Sequence, residues 1–484
     1  MNWKTITWYV GISLVLVAFL MTISGVVACL TPGDISQVPL LYSAFVTGTV
    51  GLFPLIFVRK GTHQLSFCEG NCIVVIAWLI ACLFGMLPFL MYGGEFSLIN
   101  ALFESVSGFT TTGASILNNI EALPRGLQLW RISTAWVGGI GIVTLFSMLV
   151  RNQLDKSTLS GAEISNMARD SMEEDKSSTF ARRMLATYVT LTAVTFGALN
   201  LTGMEWFDAL TNAMSACSTC GFCTRNASIA FYANPAAEMI LTVAMIAAGI
   251  NFVIIFRAFL KGRPGLIWKS EIIRVFLILL AFATVAIASD LMLNGHYHSM
   301  WSALRDAVFQ VVSIATTTGF ATQDTTLWPQ LSMSILIICS LICGCSGSTS
   351  GGIKIDRAIL ATKGIGRKVR LTVSPNTVRY IYMDGHIRTD SQVSDAFGYI
   401  LCYLFIMVFF AAVNIAFGQD FTTGVTASIA CIGNVGPGFG DVGSMSNYAA
   451  FPGLLKLTSM AEMLIGRLEI FPVLYLIRSC HNGW

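Results

Sequence analysis

Long apolar stretches separated by short polar ones dominate the chain. Their lengths predict ten helical spans, at approximately 5–31, 40–58, 69–93, 127–150, 183–203, 235–260, 271–294, 328–362, 394–417 and 451–477. A helix needs roughly 20 mostly apolar residues to cross a bilayer, and these runs supply them one after another. The first, Ile6 to Leu30, follows Lys4, is longer than the apolar part of a secretory signal and lacks a small-x-small cleavage site, so it reads as a retained span. Four connections are themselves partly apolar: those between spans three and four, five and six, seven and eight, and nine and ten.

Those four connections share one order: a short helical stretch, then Ser/Thr or Asn, then Gly, then a polar exit. They read Glu104-Ser-Val-Ser-Gly-Phe-Thr-Thr-Thr-Gly113, Ser215-Ala-Cys-Ser-Thr-Cys-Gly221, Ser313-Ile-Ala-Thr-Thr-Thr-Gly319 and Ala430-Cys-Ile-Gly-Asn-Val-Gly436. Their last glycines lie 108, 98 and 117 residues apart, and each interval encloses two spans. That period predicts a span-loop-span unit repeated four times in one orientation, with two further spans in front. The only polar stretches of any length, 151–182 and 363–393, are too short for separate enzymatic domains and read as docking surfaces or connectors.

Composition agrees with a chain whose solvent is lipid. Of 484 residues 55% are hydrophobic and 11% charged, about half the charge of a soluble domain. The formal charge of +3 and the lack of an aromatic-interleaved basic patch exclude nucleic acid as a partner. Placement matters more than the sum. Of the 29 Lys and Arg, Arg125, Arg131, Arg225, Arg305 and Lys456 fall near one side and Arg467 within a span, while the rest cluster at the opposite ends, among them Arg59, Lys60, Arg182, Arg183, Arg263, Lys354, Arg367 and Arg370. The positive-inside rule then puts both termini in the cytoplasm. The outward connections carry Glu95, Glu104, Glu121, Glu205, Asp208, Asp306, Asp324, Asp420 and Asp441, which suggests an acidic mouth that concentrates cations; ordinary solvated surface is the alternative.

Non-helical backbone is tolerated at membrane depth only where it lines a polar cavity or is buried in protein. Four such loops converging on one axis would stack rings of carbonyls that replace the hydration shell of an ion. Glycine permits the unusual dihedrals this requires, and the C-terminal ends of the short helices favour a cation. A single Thr-Thr-Gly is most simply a turn or cap; four, all in outward connections and each between two spans, are not. The cysteines Cys217, Cys220 and Cys223 resemble half a metal motif, but no fourth ligand accompanies them, and the loop pattern accounts for them better.

Span eight is interrupted by Gly344, Cys345, Ser346, Gly347, Ser348, Thr349, Ser350, Gly351 and Gly352. Each glycine costs a helix about 1 kcal/mol relative to alanine, so the helix should break there. The run lacks the Lys of a phosphate-binding loop; a close helix crossing of small residues is the bland alternative. Arg467 sits within span ten with no acid at i±3 or i±4. Its partner should come from another segment, with the broken-helix loop or the ends of the short loop helices as candidates and a snorkelling side chain as the alternative.

Several stretches carry a family resemblance over nearly the whole length: Phe103-Glu-Ser-Val-Ser-Gly-Phe-Thr-Thr-Thr-Gly-Ala114, Leu123-Pro-Arg-Gly-Leu-Gln-Leu-Trp-Arg131, Asn434-Val-Gly-Pro-Gly-Phe-Gly-Asp-Val-Gly443 and Met463-Leu-Ile-Gly-Arg-Leu-Glu-Ile-Phe471. The chain resembles the pore subunits of the Trk/Ktr/HKT superfamily of potassium transporters, most closely the Trk type with two extra N-terminal spans. The resemblance implies an all-α integral membrane fold of four parallel span, re-entrant pore loop, span repeats with pseudo-fourfold symmetry. The units would be 1–64 for the two leading spans, 65–155 (pore loop 97–115), 156–264 (206–224), 265–370 (301–322, gate loop 344–352) and 371–484 (420–440). It further implies that Gly113, Gly221, Gly319 and Gly436 are filter glycines, with Thr111, Thr112, Thr219, Thr317, Thr318, Asn434 and Val435 lining the path, and that 344–352 is an intramembrane gate. Cys220 stands where the family would have Thr or Gly, which leaves potassium over sodium as the point to test. The expected ligand is the transported potassium ion, with no cofactor in this chain. Expected partners are a second copy in a homodimer, membrane lipid, and a cytosolic nucleotide-binding regulatory subunit, a TrkA-like ring, in a bacterial inner membrane. Among other classes, an ion-coupled symporter usually has inverted repeats, an enzyme would need a metal motif or nucleophile elbow that is missing, and a scaffold has no use for four glycine loops.

Overall fold

A computed structural model describes residues 3–58, 67–154, 177–260, 262–377 and 379–474. Arg59, Lys60, most of the 151–182 connector and the tail of span ten lie outside the described residues.

Helices account for nearly all regular structure. The leading pair, α1 (Trp3–Leu30) and α2 (Gln37–Phe57), packs closely because Gly11 and Gly51 face each other, and a Cβ on Gly51 would crowd Leu14 at 2.9 Å. Next come α3 (Phe67–Gly85), α4 (Leu87–Tyr92), the short α5 (Leu98–Phe109) and α6 (Arg125–Leu154). Then follow α7 (Ser177–Leu201), the short α8 (Trp206–Ser218), α9 (Pro235–Gly249), α10 (Phe252–Ile255) and α11 (Gly265–Lys269). After α12 (Glu271–Leu293) come α13 (Met300–Ala315), α14 (Gln330–Ile342) and α15 (Ile355–Val373). A hairpin of β1 (Ile381–Met383) and β2 (His386–Arg388) leads into α16 (Asp390–Ala416), α17 (Phe421–Ile432) and α18 (Gly453–Arg467).

Among the described residues six helices are by themselves long and apolar enough to span a membrane, or seven if one bent pair counts as a span. Expected span four, 127–150, lies within the unbroken helix α6, and three other expected spans are interrupted. Span eight breaks between α14 and α15, as its glycines demand. Span ten breaks after Arg467, at Leu468 and Glu469 (φ 62°), and helix resumes at Ile470. The run expected as one span at 235–260 is two pieces, Pro235–Gly249 and Phe252–Phe259, bent by 111°. Asn251 makes that break: its side-chain oxygen accepts the Val253 amide at 2.9 Å and caps α10.

Caps explain where two of the short helices start. Ser97 accepts from the Asn100 amide at the head of α5, and Asp420 from Thr422 at the head of α17. The hairpin was not anticipated. It turns on Asp384 (φ 51°) and Gly385 (φ 80°), with Ile381 opposite Arg388 and Met383 opposite His386, and an Asp-Gly pair with both residues at positive φ is a common two-residue hairpin turn.

Candidate functional site: four loops and an interrupted helix

The short helices α5, α8, α13 and α17 end alike. The amides of Thr112, Cys220, Thr318 and Val435 donate to the carbonyls of Ser107, Ser215, Ser313 and Ala430 at 2.8–3.1 Å. The amides of Thr111, Thr219, Thr317 and Asn434 donate to Gly108, Ala216, Ile314 and Cys431. This pair of bonds is the Schellman ending, which needs one residue in the left-handed region, usually glycine. Here that residue is Thr111 (φ 52°), Thr219 (54°), Thr317 (58°) or Asn434 (52°). Two residues on, Gly113, Gly221, Gly319 and Gly436 take φ of 79°, 79°, 81° and 92°. Holding a branched threonine left-handed costs on the order of 1–3 kcal/mol, and the four loops do so, or place asparagine, at the same step.

The loops also meet. A Cβ on Gly113 would strike the carbonyl oxygen of Cys220, one on Gly221 that of Thr318, one on Gly319 that of Val435 and one on Gly436 that of Thr112, each at less than 3.0 Å. Each glycine thus faces the carbonyl just before the next glycine in the chain, and the last returns to the first. Asn434 Nδ2 donates to Thr112 Oγ1 at 2.9 Å across the seam between the last loop and the first. Cys220 packs in an apolar cluster with Ile132, Ala135 and Phe222, while its carbonyl is the atom that Gly113 faces most closely. Among the described residues no group of three or more His, Cys, Asp or Glu could hold a metal.

Struts behind the ring tie each helix to its own descending loop. Glu104 accepts from Ser115 Oγ (3.0 Å) and the Ile116 amide (3.1 Å). The Cys223 thiol donates to Asn212 Oδ1, Gln310 donates to Thr322 and to the Gln323 carbonyl, and Thr426 Oγ1 bonds both the amide and carbonyl of Phe439. Arg131 bridges two loops: its Nε meets Glu104 at 2.5 Å, its Nη1 donates to the Cys223 carbonyl, and its guanidinium lies 3.6 Å from the centre of the Phe222 ring.

These contacts correct the expected acidic mouth. Glu104, Asp208 and Asp306 are 0%, 4% and 2% exposed and engage Arg131, Arg225 and Arg305. Asp306 also accepts from the Tyr297 hydroxyl at 2.6 Å; burial, then that carboxylate, push the phenol above its ordinary range. Glu95, Glu121, Glu205, Asp420 and Asp441 do remain exposed, with Glu205 paired to Arg125. Charge along a sequence does not say which acids are buried, and Glu104 and Arg131 stand 27 residues apart.

The interrupting loop lies against the helix ends of this ring. Its Gly351 amide donates to Thr317 Oγ1 at 3.0 Å, Thr349 Oγ1 donates to the Cys217 carbonyl at 3.2 Å, and a Cβ on Gly351 would collide with the Gly433 carbonyl. The break in span six supports it, with Asn251 Nδ2 on the Ser346 carbonyl, the Phe252 amide on the Gly347 carbonyl and the Cys345 amide on the Gly249 carbonyl. Asp356 accepts the Ser346 amide at 2.9 Å. Gly344, Ser348, Ser350 and Gly352 complete the turn, Ser348 and Ser350 sharing a hydrogen bond at 2.6 Å. Arg467, 2% exposed, donates to the Thr349 carbonyl at 2.6 Å and the Gly138 carbonyl at 3.2 Å. The contact with the loop is the one expected; the reach to α6 is additional. Glu469, two residues beyond Arg467, holds the segment that follows the loop through Lys354 (3.4 Å) and Arg357 (2.9 Å).

A chain with several apolar helices of membrane-spanning length, in which four glycine loops meet edge to edge, has the frame of a polytopic membrane protein with carbonyls gathered at one place. The sequence profile of the TrkH family, described as a cation transport protein, matches residues 42–482, and the chain belongs to that family. It is 32% identical to the Trk system potassium uptake protein TrkH of Halomonas elongata over 90% of this chain and 91% of that one. It is 31% identical to the protein of the same name from Escherichia coli K12 over 98% of each. The crystal structure of the potassium transporter TrkH from Vibrio parahaemolyticus superposes with a TM-score of 0.89 at 30% identity, over 99% of both chains.

Proposed function

We propose that this chain is the pore-forming subunit of a potassium uptake system of the bacterial inner membrane. Its four units, 65–155, 156–264, 265–370 and 371–484, are read as repeats about a pseudo-fourfold axis, behind two leading spans in 1–64. Carbonyls of Thr111, Thr112, Gly113, Thr219, Cys220, Gly221, Thr317, Thr318, Gly319, Asn434, Val435 and Gly436 stand in for water around the ion. The loop 344–352, braced by Arg467, closes the path beneath them, and displacing it opens the path. The cyclic approach of each filter glycine to the next loop's carbonyl carries this reading, and the names of the relatives supply the ion. By the same kinship the chain works as a homodimer under a cytosolic nucleotide-binding subunit, with its termini in the cytoplasm.

The test is uptake of radioactive rubidium into liposomes holding the purified protein, with potassium, sodium and lithium as competitors. Competition by potassium alone supports the potassium filter. Equal competition by sodium replaces it with a relaxed cation pore. No uptake, even with the 344–352 loop shortened, removes the pathway altogether.

A further inference from the structure

On the cytoplasmic side of this reading, α15 and the hairpin enclose a cleft of about 520 Å³ lined by Lys363, Arg367, Arg370, Arg379, Tyr380 and Tyr382. The first three stand at i, i+4 and i+7, so one face of α15 is basic. Lys363 pairs with Glu271 and donates to the Tyr382 carbonyl at 2.7 Å, and Arg367 pairs with Asp390. Those two acids are the first residues of α12 and α16, both span-length helices. The cleft therefore lies where two spans begin, at the depth of lipid headgroups. Arg370 and Arg379 have no carboxylate within ion-pair distance among the described residues, and Arg367 Nε is buried without a hydrogen-bond partner. Tyr380 and Tyr382 are 59% and 55% exposed, as tyrosines at a membrane interface are. The adjoining face of α15 exposes Ile365, Val369 and Val373, four residues apart. A helix with one basic and one apolar face at this depth suits the boundary between headgroups and acyl chains.

We propose that this cleft binds the phosphate of an anionic phospholipid of the cytoplasmic leaflet, with Arg370 and Arg379 as its free cationic ligands, the tyrosine rings beside the headgroup and the Ile365–Val373 stripe along an acyl chain. The proposal rests on the orientation adopted above. It bears on the gate because α15 starts where the interrupting loop ends, the Ile355 amide donating to the Gly344 carbonyl at 3.0 Å. A lipid held along α15 fixes the position of the loop's C-terminal end.

Lipid retention by the full chain in detergent, read by native mass spectrometry, tests the site without any flux and so separately from the transport reading. Phosphatidylglycerol should be retained in preference to phosphatidylcholine. Arg370→Gln with Arg379→Gln, both at exposed positions, should weaken retention about 30-fold, each arginine near an anionic surface being worth roughly five-fold. Inorganic phosphate should not displace the lipid, and rubidium uptake should differ between vesicles of the two lipids for the parent chain but not for the double variant. Equal retention of the two lipids, or undiminished retention by the double variant, overturns the proposal. Displacement by inorganic phosphate makes this a soluble-anion site and overturns the lipid. Loss of a co-purifying acidic protein with phosphatidylglycerol binding intact assigns the cleft to that protein instead.

Discussion

The four glycine loops and the loop that interrupts span eight are both non-helical backbone buried between apolar helices, yet they are held in different ways. Each glycine loop hangs from its own helix through the same two amide bonds and its own strut a few residues away. The interrupting loop occurs once and, apart from Asp356 at the head of its own α15, is held from outside, by Asn251, Thr317, Arg467 and Glu469 from three other elements. Local, repeated support gives rigidity that no single contact controls. Distant, single contacts give a loop that can leave its place when one element moves. A selective passage needs the first kind of support and a closure needs the second.

The sharpest way to break this comparison is at the ring. Gly113→Ala puts a methyl onto the Cys220 carbonyl; overpacking of this kind costs about 1–3 kcal/mol. Rubidium uptake or its preference for potassium should therefore fall by roughly 10–100-fold. Unchanged uptake and selectivity would mean that the loops do not meet in the working protein. A smaller effect of opposite sign is expected at the interrupting loop. Arg467→Ala removes a fixed cation and its hydrogen bonds to Thr349 and Gly138. A unit charge at short range in a medium of effective dielectric about 20 is worth roughly 1–4 kcal/mol, so flux should rise by about ten-fold. Equal flux at equal expression would remove the arginine from the closure. The smallest effect belongs to Cys220→Thr, because the side chain packs with Ile132, Ala135 and Phe222 while the backbone carbonyl is what meets Gly113. The potassium-to-sodium competition ratio should move by less than about two-fold, and a larger change would place the side chain itself in the path.

Much of this was legible in the sequence because it is periodic or local. Apolar length marked the spans, the recurring Ser/Thr-to-Gly order marked the loops, and the glycines at 344–352 marked the break. What escaped depends on distant partners or on residues acting against type. Threonine rarely adopts positive φ, so nothing at Thr111, Thr219 or Thr317 announced a left-handed helix end. Glu104 reads as a surface acid until Arg131 arrives from α6. Two signals were available and unused: Asn251 two residues after Gly249 in an apolar run, and Asp384-Gly385 between two short alternating stretches.

The seam between the last loop and the first has a consequence for biosynthesis. Asn434 and Thr112 are 322 residues apart, and the Gly436 approach to the Thr112 carbonyl closes the ring across a similar distance. A chain emerging from the ribosome can insert three of its loops and still lack a wall on one side of the central axis. On the reading proposed above, the ion path is complete only once the fourth loop is made and docked, so the seam makes the last repeat the step that finishes the site.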